Sequence, residues 1–144
     1  MQDLSLVSGL PLWLDEERSI LVLAQPNGVL RGEPLPAHAA RAVLLDPEAP
    51  APKVLYWAFH DVVLPTDADL FHERGLRHNL LLLPAGRVGQ EYIKTWGHQA
   101  TSADGSGCPE AYGVVRGKAF FLLQRPGGEP ARSAGPVRLS DVRC

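Results

Sequence analysis

Leu83-Pro84-Ala85-Gly86-Arg87-Val88-Gly89-Gln90-Glu91-Tyr92-Ile93-Lys94-Thr95-Trp96-Gly97-His98 is followed, after a loop, by Glu110-Ala111-Tyr112-Gly113-Val114-Val115-Arg116-Gly117. Pro84-Ala85-Gly86 is a turn signal. From Glu91 to Thr95 the chain alternates, with Tyr92 and Lys94 on one face and Ile93 on the other, which predicts a strand. That strand ends in a tight turn at Gly97 and His98, and a second expected strand, 110–115, starts on a carboxylate. Strands joined this way can bring an imidazole and a carboxylate to one end of a β-barrel, where metals and small polar substrates are held.

The neighbouring sequence has the same texture. Residues 54–63 are rich in aromatic and β-branched side chains and predict a well-buried strand. Residues 78–83 form another, and 119–124 a further one after the turn at Arg116-Gly117-Lys118. Pro126-Gly127-Gly128 turns the chain again, before a last strand within 137–142. Toward the amino terminus, residues 20–23 and 29–30 flank Asn27-Gly28 and read as a loose hairpin. Residues 36–45 carry alanines, Val43 and Leu44 at helical spacing, opened by Pro36 and ended by Asp46-Pro47. A helical turn over 66–74 would be capped by Thr66, with Asp67 and Asp69 in its first turn. The 13 prolines and 14 glycines punctuate the whole chain and favour short strands over long helices. The expectation is an all-β antiparallel sandwich or barrel over 53–144, preceded by an arm over 1–52.

Composition narrows the functional classes. At 144 residues the chain suits one domain with a real core. A net charge of −2 with scattered Lys and Arg gives no footprint for a phosphate backbone, so nucleic acid is not an expected partner. No apolar run approaches the ~20 residues needed to span a bilayer. Met1-Gln2-Asp3 opens no secretory signal, and two cysteines, Cys108 and Cys144, are too few for a disulfide scaffold. A reducing cytoplasm follows as the expected compartment.

The quoted stretch resembles the segment before the metal site of the cupin-type glucose-6-phosphate (phosphoglucose) isomerases of archaea and some bacteria. Glu110-x-Tyr112, Gly117 and Leu122-Leu123-Gln124 continue the likeness, which covers about residues 40–128. The resemblance implies a cupin jelly-roll barrel and interconversion of glucose-6-phosphate and fructose-6-phosphate, with a sugar phosphate as small-molecule partner. It also implies a divalent metal (Fe, Mn or Zn) held by a His-x-His pair, a Glu on the next strand and a third His. Carried over, His98 and Glu110 would be metal ligands. Thr95 and Gly97 would lie beside the sugar phosphate, Tyr112 would face the pocket, and Lys94 would approach the phosphate. Glu110 is the residue assigned to proton transfer, because aldose–ketose isomerisation moves a proton between adjacent carbons through an enediolate.

Two departures weigh against a working metal centre. The second His of the pair is replaced by Ala100, which cannot coordinate, and the loop from His98 to Glu110 is longer than the family's. The chain also reaches Cys144 before any third-His motif, leaving the expected barrel incomplete. A fragment, a remainder outside this numbering, or completion by a partner chain all stay open; exposed edges and an arm make a homodimer the natural expectation. Plainer roles are open to the same residues: Gly97 simply makes the turn, Tyr112 is a sheet-face aromatic, Lys94 is an exposed strand lysine, and the remaining histidines form no ligand set. The alternative function is a non-catalytic cupin that lost its metal and serves as a sugar-binding or subunit-interaction module.

Overall fold

A computed structural model describes residues 1–24, 29–98, 101 and 105–122. The chain divides into two compact units, Met1–His98 and Gln99–Cys144. Regular structure is mostly strand, in three small antiparallel sheets, and the fold class is all-β; no closed barrel forms among the described residues. No helix is long and apolar enough to cross a membrane among those residues.

The first sheet is a meander in the order β1 (Gln2–Asp3), β2 (Leu12–Asp15), β3 (Ile20–Leu23), β4 (Val29–Leu30). Its logic is period-2 burial: Leu12 and Leu14 on β2 face inward opposite Leu23 and Leu21 on β3. β3 and β4 pair as the sequence suggests, although the Asn27-Gly28 turn itself lies outside the described residues. A four-residue helix, α1 (Ser5–Ser8), follows β1, and the Asp3 carboxylate accepts the Ser5 N–H at 2.8 Å at its start. β2 is an addition to the expected hairpin. Its signal, Leu10-x-Leu12-x-Leu14, was present but short.

The second sheet has the order β5 (Glu33–Pro36), β6 (Val54–Phe59), β7 (Leu80–Leu82). β5 carries Pro34 and Pro36 and lies at the edge, where a missing N–H breaks no inner ladder. β6 ends at Phe59, four residues short of the expected 54–63 strand, because Asp61 turns the backbone to φ +51°. The Asp61 N–H donates to Asn79 Oδ1 at 3.1 Å, and the Arg77 guanidinium grips both carboxylate oxygens at 3.2 Å. These bonds hold the turned residue beside the start of β7.

Between β5 and β6 the alanine-rich segment forms a 3-10 helix, Ala37–Val43, rather than an α-helix. Ala37, Ala40 and Val43 recur every three residues, the spacing that stacks side chains in a 3-10 turn, and the first two are buried. With Leu44, Ala49, Leu55 and Val88 they make the core under the second sheet, and Leu35, Ala51, Tyr56 and Ile93 pack around it. The other expected helix is α2 (Ala68–Glu73). Asp67 stands at its cap without a side-chain cap bond, and Thr66 Oγ1 bonds instead to Asp67 Oδ1 at 3.2 Å, so the predicted Thr66 cap is not formed.

Candidate functional site

The quoted stretch opens with a two-strand hairpin, β8 (Arg87–Val88) and β9 (Glu91–Tyr92), in which Val88 pairs with Glu91. Val88 is 1% exposed and pins the hairpin into the core beside Ala49 and Leu55. The turn needs Gly89: its φ is +58°, and a side-chain carbon there would stand 3.2 Å from the Ala49 methyl. Outside, the Arg87 guanidinium lies 4.6 Å from the centre of the Tyr92 ring, while one of its nitrogens donates to the Tyr92 hydroxyl at 3.1 Å.

Glu91 joins two separate parts of this unit. One carboxylate oxygen accepts the backbone N–H of Leu45 at 2.6 Å, from the segment just past the 3-10 helix. The other accepts from the Lys94 ammonium at 2.5 Å. Burial works to raise the Glu91 carboxyl, but Lys94 and the Leu45 N–H outweigh it and hold the group below the usual glutamate range. Sequence reading passed over Glu91; the signal available was a Glu and a Lys three residues apart at the strand start.

Strand geometry stops at Tyr92, whereas the alternation predicted it through Thr95. Ile93 donates its N–H to the Gly86 carbonyl at 3.3 Å and packs against the core. Beyond it, residues 94–98 run to the end of the first unit outside any ladder among the described residues. Lys94 is paired with Glu91, Thr95 is half-buried, and Gly97 and His98 are exposed. Among the described residues, no atom lies within 4 Å of the position a side chain would take at Gly97.

Glu110 and Tyr112 belong to the second unit. Its described part holds one isolated bridge, Thr101 with Gly107, and an exposed free thiol at Cys108. The expected strand over 110–115 forms no ladder, and neither does the described part of 119–124. Alternation marks two faces, but a strand also needs a neighbour to take its backbone hydrogen bonds. What does form is the turn: Gly117 has φ +84°, and the Tyr112 and Phe121 rings meet at 5.3 Å, tilted by 50°. The Tyr112 phenol is hydrogen-bonded to the Glu110 carboxylate. Partial burial, the Glu110 charge and that bond push the phenol above the ordinary tyrosine value. The structure therefore brings Glu110 and Tyr112 together.

Ala100, Leu123, Gln124, the Pro126-Gly127-Gly128 turn and the expected strand over 137–142 lie outside the described residues. Among the described residues no group of three or more His, Cys, Asp or Glu side chains stands together as a metal-holding set. The donor set itself does not fit a tightly held divalent metal. His98 and Glu110 supply one donor group each, and Ala100 has none to complete a His-x-His pair. His60 stands 3.9 Å from Glu33, and His78 Nδ1 is 2.7 Å from the Val62 carbonyl.

Among known proteins, the family model described as glucose-6-phosphate isomerase (GPI) matches residues 41–144. No curated protein and no solved structure matches the chain.

Proposed function

Because the chain belongs to the archaeal-type cupin family of glucose-6-phosphate isomerases, we propose that it interconverts glucose-6-phosphate and fructose-6-phosphate, using Glu110 as the proton carrier. The family match over residues 41–144 carries this reading, since it spans the strip 95–98 and the Glu110–Tyr112 pair. In the aldose-to-ketose direction a base takes the proton from C2. The C–H electron pair moves into the C1–C2 bond as the carbonyl oxygen gains charge, giving an enediolate. Return of the proton to C1, with proton exchange between the two oxygens, completes the ketose. A carboxylate suits that transfer. The Tyr112 hydroxyl, a neutral donor, supports the role by orienting the Glu110 oxygen that faces it. Thr95 and Gly97, which match the family's pattern, are the proposed contacts for the sugar phosphate. The residues present do not support routing the proton through a metal.

A coupled assay of fructose-6-phosphate conversion tests the proposal, run with and without Mn²⁺, Fe²⁺ or Zn²⁺. Glu110→Gln is expected to lower kcat by about 10²–10⁴, the usual contribution of a positioned acid–base group. Turnover unchanged in that variant would remove Glu110 from the chemistry. Ala100 favours a second reading, a cupin that binds sugar phosphate without converting it. Calorimetry showing binding in a chain with no turnover would select that reading.

A further inference from the structure

The Glu91 carboxylate sits between parts of the first unit that lie far apart in sequence. Its two oxygens face different partners: the Leu45 N–H, 46 residues away, at 2.6 Å, and the Lys94 ammonium at 2.5 Å. The Leu44 N–H bonds back to the Arg41 carbonyl to close the 3-10 helix, and the next N–H, that of Leu45, goes to Glu91. Val88 anchors the same hairpin in the core, and Gly89 packs against Ala49. The hairpin is thus fixed on its buried side by apolar contact and at its exit by one carboxylate. Residues 94–98 leave that exit outside any ladder assigned among the described residues. Their first residue, Lys94, is the one the carboxylate holds.

We propose that Glu91 is a positioning residue: bonded at once to the Leu45 N–H and the Lys94 ammonium, it sets where residues 95–98 leave the hairpin and so where Thr95, Gly97 and His98 are presented. The same pairing gives Lys94 a structural task in place of a contact to the sugar phosphate. A carboxylate suits this place because it accepts two charge-assisted or amide hydrogen bonds in different directions, which an alanine cannot do and an amide does less strongly. The consequence for turnover rests on the isomerase reading above; the consequence for backbone order does not.

Residue-resolved measurements on the full chain separate the two: amide hydrogen exchange at Leu45, whose N–H is bonded, and ¹⁵N backbone relaxation across 95–98. Glu91→Ala is expected to speed exchange at Leu45 by roughly tenfold, as loss of a charge-assisted bond would, and to lower the order of 95–98. Glu91→Gln keeps an oxygen for the Leu45 N–H, so Leu45 stays protected while 95–98 show intermediate order. Lys94→Met loosens 95–98 and leaves Leu45 unchanged. Equal order of 95–98 in the wild type, Glu91→Gln and Lys94→Met would overturn the proposal, and that comparison stands even if Glu91→Ala does not fold. In the coupled assay the KM for fructose-6-phosphate rises in Glu91→Ala and recovers in part in Glu91→Gln. A wild-type chain with no turnover would sink the isomerase reading while the exchange and relaxation pattern still decides the role of Glu91.

Discussion

The hairpin at residues 87–92 and the turn at residues 110–121 carry the same kind of sequence, yet they are built differently. Both alternate, both bend at a glycine, and both set an aromatic ring against a second side chain: Arg87 on Tyr92 in one, Phe121 on Tyr112 in the other. The first has a ladder, a buried valine and a carboxylate tied to a distant backbone N–H, whereas no ladder or buried valine forms over 110–121 among the described residues. The second leaves Phe120 and Leu122 exposed at 68% and 74%. Pattern proposes a strand, and tertiary partners make it one.

The sharpest way to break this contrast is to remove equal-sized side chains from both sides. Leu55→Ala, at a residue 1% exposed in the core that holds the hairpin, should cost about 2–5 kcal/mol in urea unfolding. Leu122→Ala should stay within about 0.5 kcal/mol. Equal losses would mean that the second region packs as tightly as the first. Glycine substitutions come next. Gly89→Ala must hold φ +58° and also crowd the Ala49 methyl, for a loss of about 2 kcal/mol. Gly117→Ala meets no atom within 4 Å among the described residues and should lose only the backbone term, about 1 kcal/mol.

Two titrations probe the charged groups of each region. Glu91 has a lowered folded value, so its contribution to stability is whole above the ordinary glutamate value of 4.5 and fades as pH falls through the lower folded one. Acid unfolding of Glu91→Gln should therefore show a flatter dependence below that pH than the wild type. Tyr112 behaves in the opposite sense. Its raised value keeps the phenol protonated past 10.0, and stability is lost as alkali first ionises the unfolded chain. Tyrosinate absorbance should show one phenol titrating late, and Glu110→Gln should bring it partway back, leaving the part due to burial.

Much of the first unit was legible because its signals are local. Alternating leucines mark β2 and β3, the aromatic run marks β6, and proline and glycine mark the turns. Element ends were less legible because side chains decide them at a distance. Asp61 stops β6 through bonds to Asn79 and Arg77, and nothing within residues 54–63 announces those partners. The alanines at every third position carried a 3-10 signal that helical propensity alone does not separate from an α-helix. In the candidate site, family likeness singled out Glu110 and Tyr112, and the structure joins them by a hydrogen bond. Glu91 escaped notice because its partner at Leu45 is a backbone N–H, which leaves no mark in the side-chain pattern.

Incubating the full chain with fructose-6-phosphate in D₂O, and following the sugar carbons by NMR, reads the proposed proton transfer directly. A Glu110 proton that exchanges with solvent before it is returned puts deuterium at C1 of fructose-6-phosphate and C2 of glucose-6-phosphate, and both conversion and wash-in are lost in Glu110→Gln. Wash-in that persists in that variant, or a wild type that shows neither conversion nor wash-in with or without added divalent metal, would contradict it.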